Sequence, residues 1–266
     1  MKSKPMKALQ ESLFIRYGNF LFKYRNIVFP VVLCALLFGF YPVRPMGNGN
    51  YSVGMDLFGF LISAMGESIR VAVIGLAYIK RGGVNKRVHA DTLVAEGIFA
   101  HCRNPLYLGN LLILLGLFII HNNPWVYALG LGFFLTAYSA IVAAEESYLQ
   151  IKFGADYQKY CHQVNRWLPQ LRGLRGTLGS MGFNWRRVIA KDYASAYSWM
   201  VLALLLVCYE RLLLSSTEEA TFWLRDLVII FILLTIVFII VRFLKKSGRL
   251  AEKRDKQLHL LSSNRK

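Results

Sequence analysis

Residues Leu106–His121 read LYLGNLLILLGLFIIH, Asn122-Asn123-Pro124 follow, and Trp125–Ala144 read WVYALGLGFFLTAYSAIVAA. Neither run carries an Asp, Glu, Lys or Arg, and Asn and Pro between them supply turn chemistry, so the stretch predicts two helices joined as a tight antiparallel hairpin. A helix of a soluble domain keeps one polar face. These two are apolar all round, as a bilayer of roughly 30 Å requires of its spans.

Working outward, similar windows occur at Ile27–Val43, which contains Pro30, and at Leu57–Ile79, Ala196–Leu214 and Leu227–Leu244. The expected fold is therefore all-α, a polytopic membrane bundle of about six transmembrane helices. Composition agrees: the 266 residues are 55% hydrophobic and only 18% charged, which excludes a soluble domain and a disordered chain. Cys34, Cys102, Cys161 and Cys208 are scattered without a C-x-x-C pair, and His101, Cys102, Cys161 and His162 lie on two segments without ligand spacing. Neither a disulfide framework nor a metal site is expected.

The formal net charge is +17. Basic residues cluster in four places: six before the first window, five from Lys80 to Arg103, eight from Lys152 to Lys191 and nine from Arg242 onward. An even number of spans puts all four clusters, and both termini, on the cytoplasmic side, leaving loops near Arg44, Asn122 and Ser215–Glu219 outside. The basic excess then reads as contact with an anionic inner leaflet, and no nucleic-acid partner is expected. The segment before Ile27 is too long for a signal-peptide n-region and no small-x-small site follows, so the first span is expected to be retained.

Four regions follow: a two-span part over residues 1–88, a core over 89–172, a linker over 173–194 with Gly173, Gly176, Gly179 and Gly182, and a two-span extension with a basic tail over 195–266. Within the core, Tyr148, Leu149, Phe153, Tyr157, Tyr160 and Val164 recur at spacings of three and four, predicting a helix that lies on the membrane or caps a pocket.

Two motifs in that core are more specific than a membrane boundary needs. Asp91-Thr92-Leu93-Val94, Phe99 and Arg103-Asn104-Pro105-Leu106-Tyr107-Leu108-Gly109 stand at the entrance of the third span. Pro105 suits the first helical position, where its missing N–H is not needed, and the donors exposed there suit a carboxylate. Glu145-Glu146 stand at the exit of the fourth span, which the hairpin returns to the same depth, and two carboxylates at a helix C-terminus need a positive partner, Arg103 or a cationic ligand. Arg103 and Glu146 are the candidates for a catalytic role.

This pair of motifs resembles the integral-membrane methyltransferases of the isoprenylcysteine carboxyl methyltransferase family, relatives of the phospholipid N-methyltransferases. Their pattern is R-H-P-x-Y-x-G followed by E-E-x-x-L-x-x-x-F-G-x-x-Y-x-x-Y; here it is Arg103 to Gly109, then Glu145-Glu146, Leu149, Phe153-Gly154, Tyr157 and Tyr160, with Arg166-Trp167-Leu168-Pro169 closing the stretch. The resemblance implies S-adenosyl-L-methionine as cofactor, held by Asp91, Thr92, Leu93, Val94, Phe99, Asn104, Pro105, Leu106, Tyr107 and Glu145. It also implies a lipid or lipidated acceptor entering from the bilayer, and an active site facing the cytoplasm. Carboxyl O-methylation of a prenylcysteine is the first reading and phospholipid N-methylation the second. A sterol-type reductase using a nicotinamide cofactor, whose family is similar in its C-terminal half, is the third.

The chain departs from the pattern three times. Asn104 replaces histidine and cannot titrate. Ile141 stands where the family places an arginine one turn before the first glutamate, and the last two spans exceed the family core. Glu67 and Arg70 lie three residues apart on one face of the second span, either as a mutually satisfied pair or with Arg70 supplying the missing charge to the substrate. Arg70 and Arg166 are thus the candidate substrate-binding residues.

Overall fold

A computed structural model describes residues 12–43, 49–77, 89–90, 92–214 and 217–250. Among them every regular element is helical: α1 (Leu13–Gly39), α2 (Gly49–Leu76), α3 (Pro105–His121), α4 (Leu131–Phe153), α5 (Ala155–Gln163), α6 (Leu174–Ser180), α7 (Trp185–Leu214) and α8 (Thr217–Lys246), with a single 3-10 turn at Gly97–Ala100 and a π turn at Val126–Gly130 leading into α4. Five of these stretches are long and apolar enough to cross a membrane. The third span is shorter, 17 residues, or about 26 Å at 1.5 Å per residue.

Boundaries differ from the windows because a helix need not stop where the hydrocarbon does. α1 is 27 residues long and begins at Leu13, so Arg16, Lys23 and Arg25 are helical and Pro30 lies well inside the helix. α7 likewise begins at Trp185, and the stretch read as a linker contains α6, anchored where Thr177 Oγ1 meets His101 Nε2 at 2.9 Å. The helix expected to run from Glu145 to Val164 is two helices, because Gly154 breaks it with φ of +53°.

The hairpin turn is as the sequence predicts. Asn122 adopts the left-handed conformation (φ +53°) at the end of α3, Asn123 accepts a hydrogen bond from the Trp125 N–H at 2.8 Å, and its amide reaches the Tyr41 carbonyl at 2.7 Å. Its two helices, however, each find their tightest partner elsewhere. α3 packs most closely on α2 and α4 on α1.

The α2–α3 seam is built from glycines. A Cβ on Gly66 would stand 2.5 Å from the Gly109 carbonyl oxygen, and one on Gly116 would stand 2.2 Å from that of Gly59. Close backbone approach of this kind is how helices associate in lipid, where apolar burial alone gives no drive. Across the α3–α4 gap, by contrast, bulky rings meet: Tyr107 and Tyr138 at 5.3 Å between centroids, Phe118 and Phe134 at 6.2 Å. α7 packs on α2 and α3, and α8 packs chiefly on α7, with no buried residue in its apolar window.

Candidate active site

The chain between α5 and α6 folds back over the start of α3. Arg103 N–H donates to the Asn165 carbonyl at 3.0 Å, Gln170 N–H to the His101 carbonyl at 2.9 Å, and the Asn104 amide to the Arg166 carbonyl at 3.2 Å. With its side chain engaged in this way, Asn104 does not cap the helix. Pro105 has no N–H to give, and Leu108 N–H bonds back to Asn104, so the N–H groups of Leu106 and Tyr107 are left without an intrahelical acceptor at the positive end of α3.

Glu145 and Glu146 diverge. Glu145 accepts a hydrogen bond from the Tyr107 hydroxyl at 2.7 Å, and that hydroxyl is approached by Arg25 Nη1 at 3.4 Å. Glu146 turns to two arginines, with Arg103 Nη1 at 3.5 Å and Arg166 Nε at 3.2 Å. The positive partner demanded by the second glutamate is therefore supplied by the chain itself. Arg103 also contacts the Cys161 sulfur, which fixes it against α5. Burial pushes the Tyr157 and Tyr160 phenols and the Cys102 thiol above their usual ranges, in the case of Tyr157 with help from the Glu146 charge, so none of the three is a ready anionic nucleophile. Tyr160 instead donates its hydroxyl to the Phe99 carbonyl at 2.8 Å and so holds that segment in place.

A cavity of about 1000 Å³ opens beside these groups. Phe99, Asn104, Pro105, Leu106, Tyr107 and Glu145 line its polar end together with Arg103, His89, Ala90 and Leu149. Its other end is apolar, between Phe29 and Leu33 of α1, Ile113 and Leu117 of α3, Phe134 of α4, and Trp199 and Leu202 of α7. Leu117 lies twelve residues below Pro105, about 18 Å along the helix, so the cavity is a channel into the membrane-spanning part rather than a surface dent.

Six of the ten expected cofactor residues thus share one cavity. Thr92, Leu93 and Val94 are outside its wall: Leu93 packs against the Tyr157 and Tyr160 cluster, while Thr92 and Val94 are exposed. Asp91 lies outside the described residues. Of the expected substrate residues, Arg70 lines the cavity, but it is bonded to Asp192 of α7, to Asn110, and to Glu67 at 3.3 Å; Arg166 is exposed on Glu146 and absent from the wall. Of the catalytic candidates, Arg103 lines the cavity and Glu146 does not. Among the described residues no group of three or more His, Cys, Asp or Glu side chains converges as a metal site.

Two features went unread in the sequence. In the sequence Arg25 reads only as an inside-face charge, although Phe22, Arg25 and Phe29 share a helix face and the arginine interrupts an apolar stripe. α7 contributes a cavity wall through Ala194, Ser195, Ser198, Trp199 and Leu202, which no local pattern announces.

Residues 56–156 match the family model described as phospholipid methyltransferase. The matched stretch contains the greater part of α2, all of α3 and α4 and most of the polar end of the cavity. A cobalt-zinc-cadmium resistance protein, CzcN, from Cupriavidus metallidurans is 27% identical over 162 residues, covering 59% of this chain and 69% of that protein. An uncharacterised protein from Haemophilus influenzae is 38% identical over 63 residues, 24% of this chain and all of that protein. No solved structure matches. The family match and the membrane-spanning helices together support a membrane methyltransferase of the phospholipid and isoprenylcysteine type.

Proposed function

We propose that the protein transfers a methyl group from S-adenosyl-L-methionine to a lipid or lipidated acceptor, with carboxyl O-methylation of an isoprenylcysteine-like group as the first reading. The observation that carries this is one cavity with two kinds of wall: polar groups of α3 and α4 at one end and an apolar channel about 18 Å deep at the other. A soluble acceptor would have no use for the channel.

The polar end suits the cofactor. The uncommitted N–H groups of Leu106 and Tyr107 at a helix start suit its carboxylate, and Glu145, which receives one hydrogen bond from Tyr107, has lone pairs left for its ammonium. Phe99 offers a ring to the adenine. When bound, the cofactor supplies an electrophilic methyl on a sulfonium. The protein's part is then to hold the acceptor in line and keep water away, which apolar side chains such as Leu106, Leu114 and Phe134 do, and neither task requires a dedicated base when the acceptor is already a carboxylate. Arg103 and Glu146 act by holding the strap over α3 and so position the donor site.

Phospholipid N-methylation is the second reading, favoured by the description of the matching family. A nicotinamide-dependent reductase suits the site less, because the Glu145 carboxylate would face added phosphates. The distribution of basic residues supports a reading in which the polar end of the cavity and both termini face the cytoplasm.

Thermal unfolding of detergent-purified protein with S-adenosylhomocysteine, and separately with NADPH, tests the assignment. At a hundredfold excess over Kd a ligand stabilises the folded state by about 2.7 kcal/mol, so a shift is readily read. S-adenosylhomocysteine should raise the midpoint of the wild type and not that of Glu145→Ala. A shift with NADPH alone would transfer the protein to the reductases.

A further inference from the structure

Three arginines stand in the cavity wall, Arg25, Arg70 and Arg103. Two have their charge answered within the protein: Arg70 by Glu67 and Asp192, Arg103 by Glu146. Arg25 is different. Its direct contacts among the described residues are the Tyr107 hydroxyl at 3.4 Å and the face of the Phe22 ring at 4.4 Å; the Glu145 carboxylate feels its charge from beyond that hydroxyl but makes no direct ion pair with it.

Its position follows from the packing of α1. Leu21 and Phe22 lie against Ala137 and Ile141 of α4, and Phe29 meets the rings of Phe134 and Tyr138 at 5.3 Å. Arg25, three residues after Phe22 and four before Phe29, shares that face and is turned inward, half-buried, above the apolar channel. A guanidinium whose nearest carboxylate is reached only across a tyrosine hydroxyl keeps donors in the cavity wall that an incoming anion can use.

We infer that Arg25 receives the anionic head, a carboxylate or a phosphate, of an acceptor whose tail lies in the channel towards Leu117 and Leu202. Its fork of N–H donors suits either oxyanion. An anion bound there sits beside the Tyr107 hydroxyl, next to the donor site, where the cofactor's ammonium would answer the Glu145 charge, while the tail follows the apolar wall. This rests on the methyltransferase reading and names its specificity residue: the head is held by α1, outside the stretch that matches the family model.

The test uses two anionic amphiphiles, each against its uncharged counterpart: N-acetyl-S-farnesylcysteine against its carboxamide, and hexadecyl phosphate against hexadecanol. Binding to the full-length protein in neutral detergent is measured for the wild type, Arg25→Gln and Arg25→Lys, with S-adenosylhomocysteine affinity in parallel. The wild type should prefer at least one anion by roughly tenfold or more, as expected for a charge-assisted hydrogen bond. The preferred anion tells a carboxylate acceptor from a phosphate one. Arg25→Gln should erase the preference while changing S-adenosylhomocysteine affinity by much less, and Arg25→Lys should restore part of it. Absence of any preference in the wild type, its survival in Arg25→Gln, or an equal loss of S-adenosylhomocysteine binding in that variant would overturn the assignment. Should the wild type fail to bind S-adenosylhomocysteine, the methyltransferase reading falls, while the anion preference still reports on Arg25.

Discussion

Arg70 and Arg25 border the same cavity and are used in opposite ways. Arg70 of α2 is 2% exposed and held by Glu67 on its own helix, Asn110 on α3 and Asp192 on α7. Arg25 of α1 has a tyrosine hydroxyl and the face of a ring. Burying a charge costs several kcal/mol, and the protein offsets that cost for Arg70 with its own carboxylates. The first arrangement is a closed bolt through three helices, and because Asp192 lies on α7, it also fastens that helix to α2 and α3. The second is an open site. The lesson is that an arginine in a cavity wall signals ligand binding only when no carboxylate of the protein is bonded to it directly.

Breaking the bolt should have the largest effect. Asp192→Ala leaves the Arg70 charge buried with a lesser partner, and removal of one member of a buried pair typically costs about 3–5 kcal/mol. Thermal unfolding in detergent should show a large loss of stability, while S-adenosylhomocysteine affinity of the molecules that remain folded should change little. A variant of normal stability that had lost the ligand would reverse the comparison and make the Arg70 group part of the binding site.

Opening the second arrangement further should act on binding rather than on folding. Tyr107→Phe removes the hydroxyl that donates to Glu145 at 2.7 Å and keeps the ring against Tyr138. A hydrogen bond to a charged group contributes about 1.5–3 kcal/mol, so with Glu145 less firmly aimed S-adenosylhomocysteine affinity should fall by roughly tenfold, with only a small drop in the unfolding midpoint. A fall in stability as large as that of Asp192→Ala, with unchanged affinity, would put Tyr107 with the structural group.

What the sequence made legible was the part encoded locally. Spans, the Asn122-Asn123-Pro124 turn and the convergence of Tyr107 with Glu145 all follow from apolar runs, turn chemistry and a hairpin that returns two motifs to one depth. The close α2–α3 seam was not legible, because Gly59, Gly66, Gly109 and Gly116 gain meaning only when the two helices are set side by side. The pairing of Arg70 was half legible: Glu67 stands three residues away in the chain, but Asp192 is 122 residues on. Thr92, Leu93 and Val94 were expected in the cavity by resemblance, whereas their segment is drawn towards α5, where Leu93 finds the Tyr157 and Tyr160 cluster.

The smallest effect is expected at Arg166, and it sharpens the comparison from the other side. Its side chain is 44% exposed and shares Glu146 with Arg103, so its removal leaves that carboxylate with a cation at 3.5 Å. Exposed ion pairs are screened by solvent and contribute about 0–1 kcal/mol. The hydrogen bond that Asn104 sends to residue 166 goes to the backbone carbonyl, which Arg166→Ala keeps. Stability, S-adenosylhomocysteine affinity and the preference between charged and uncharged amphiphiles should therefore all stay close to wild type. A loss of anion preference in Arg166→Ala comparable to that of Arg25→Gln would mean that the acceptor's head reaches past Tyr107 to the outer face of the strap, and that lining the cavity is too narrow a criterion for the acceptor site.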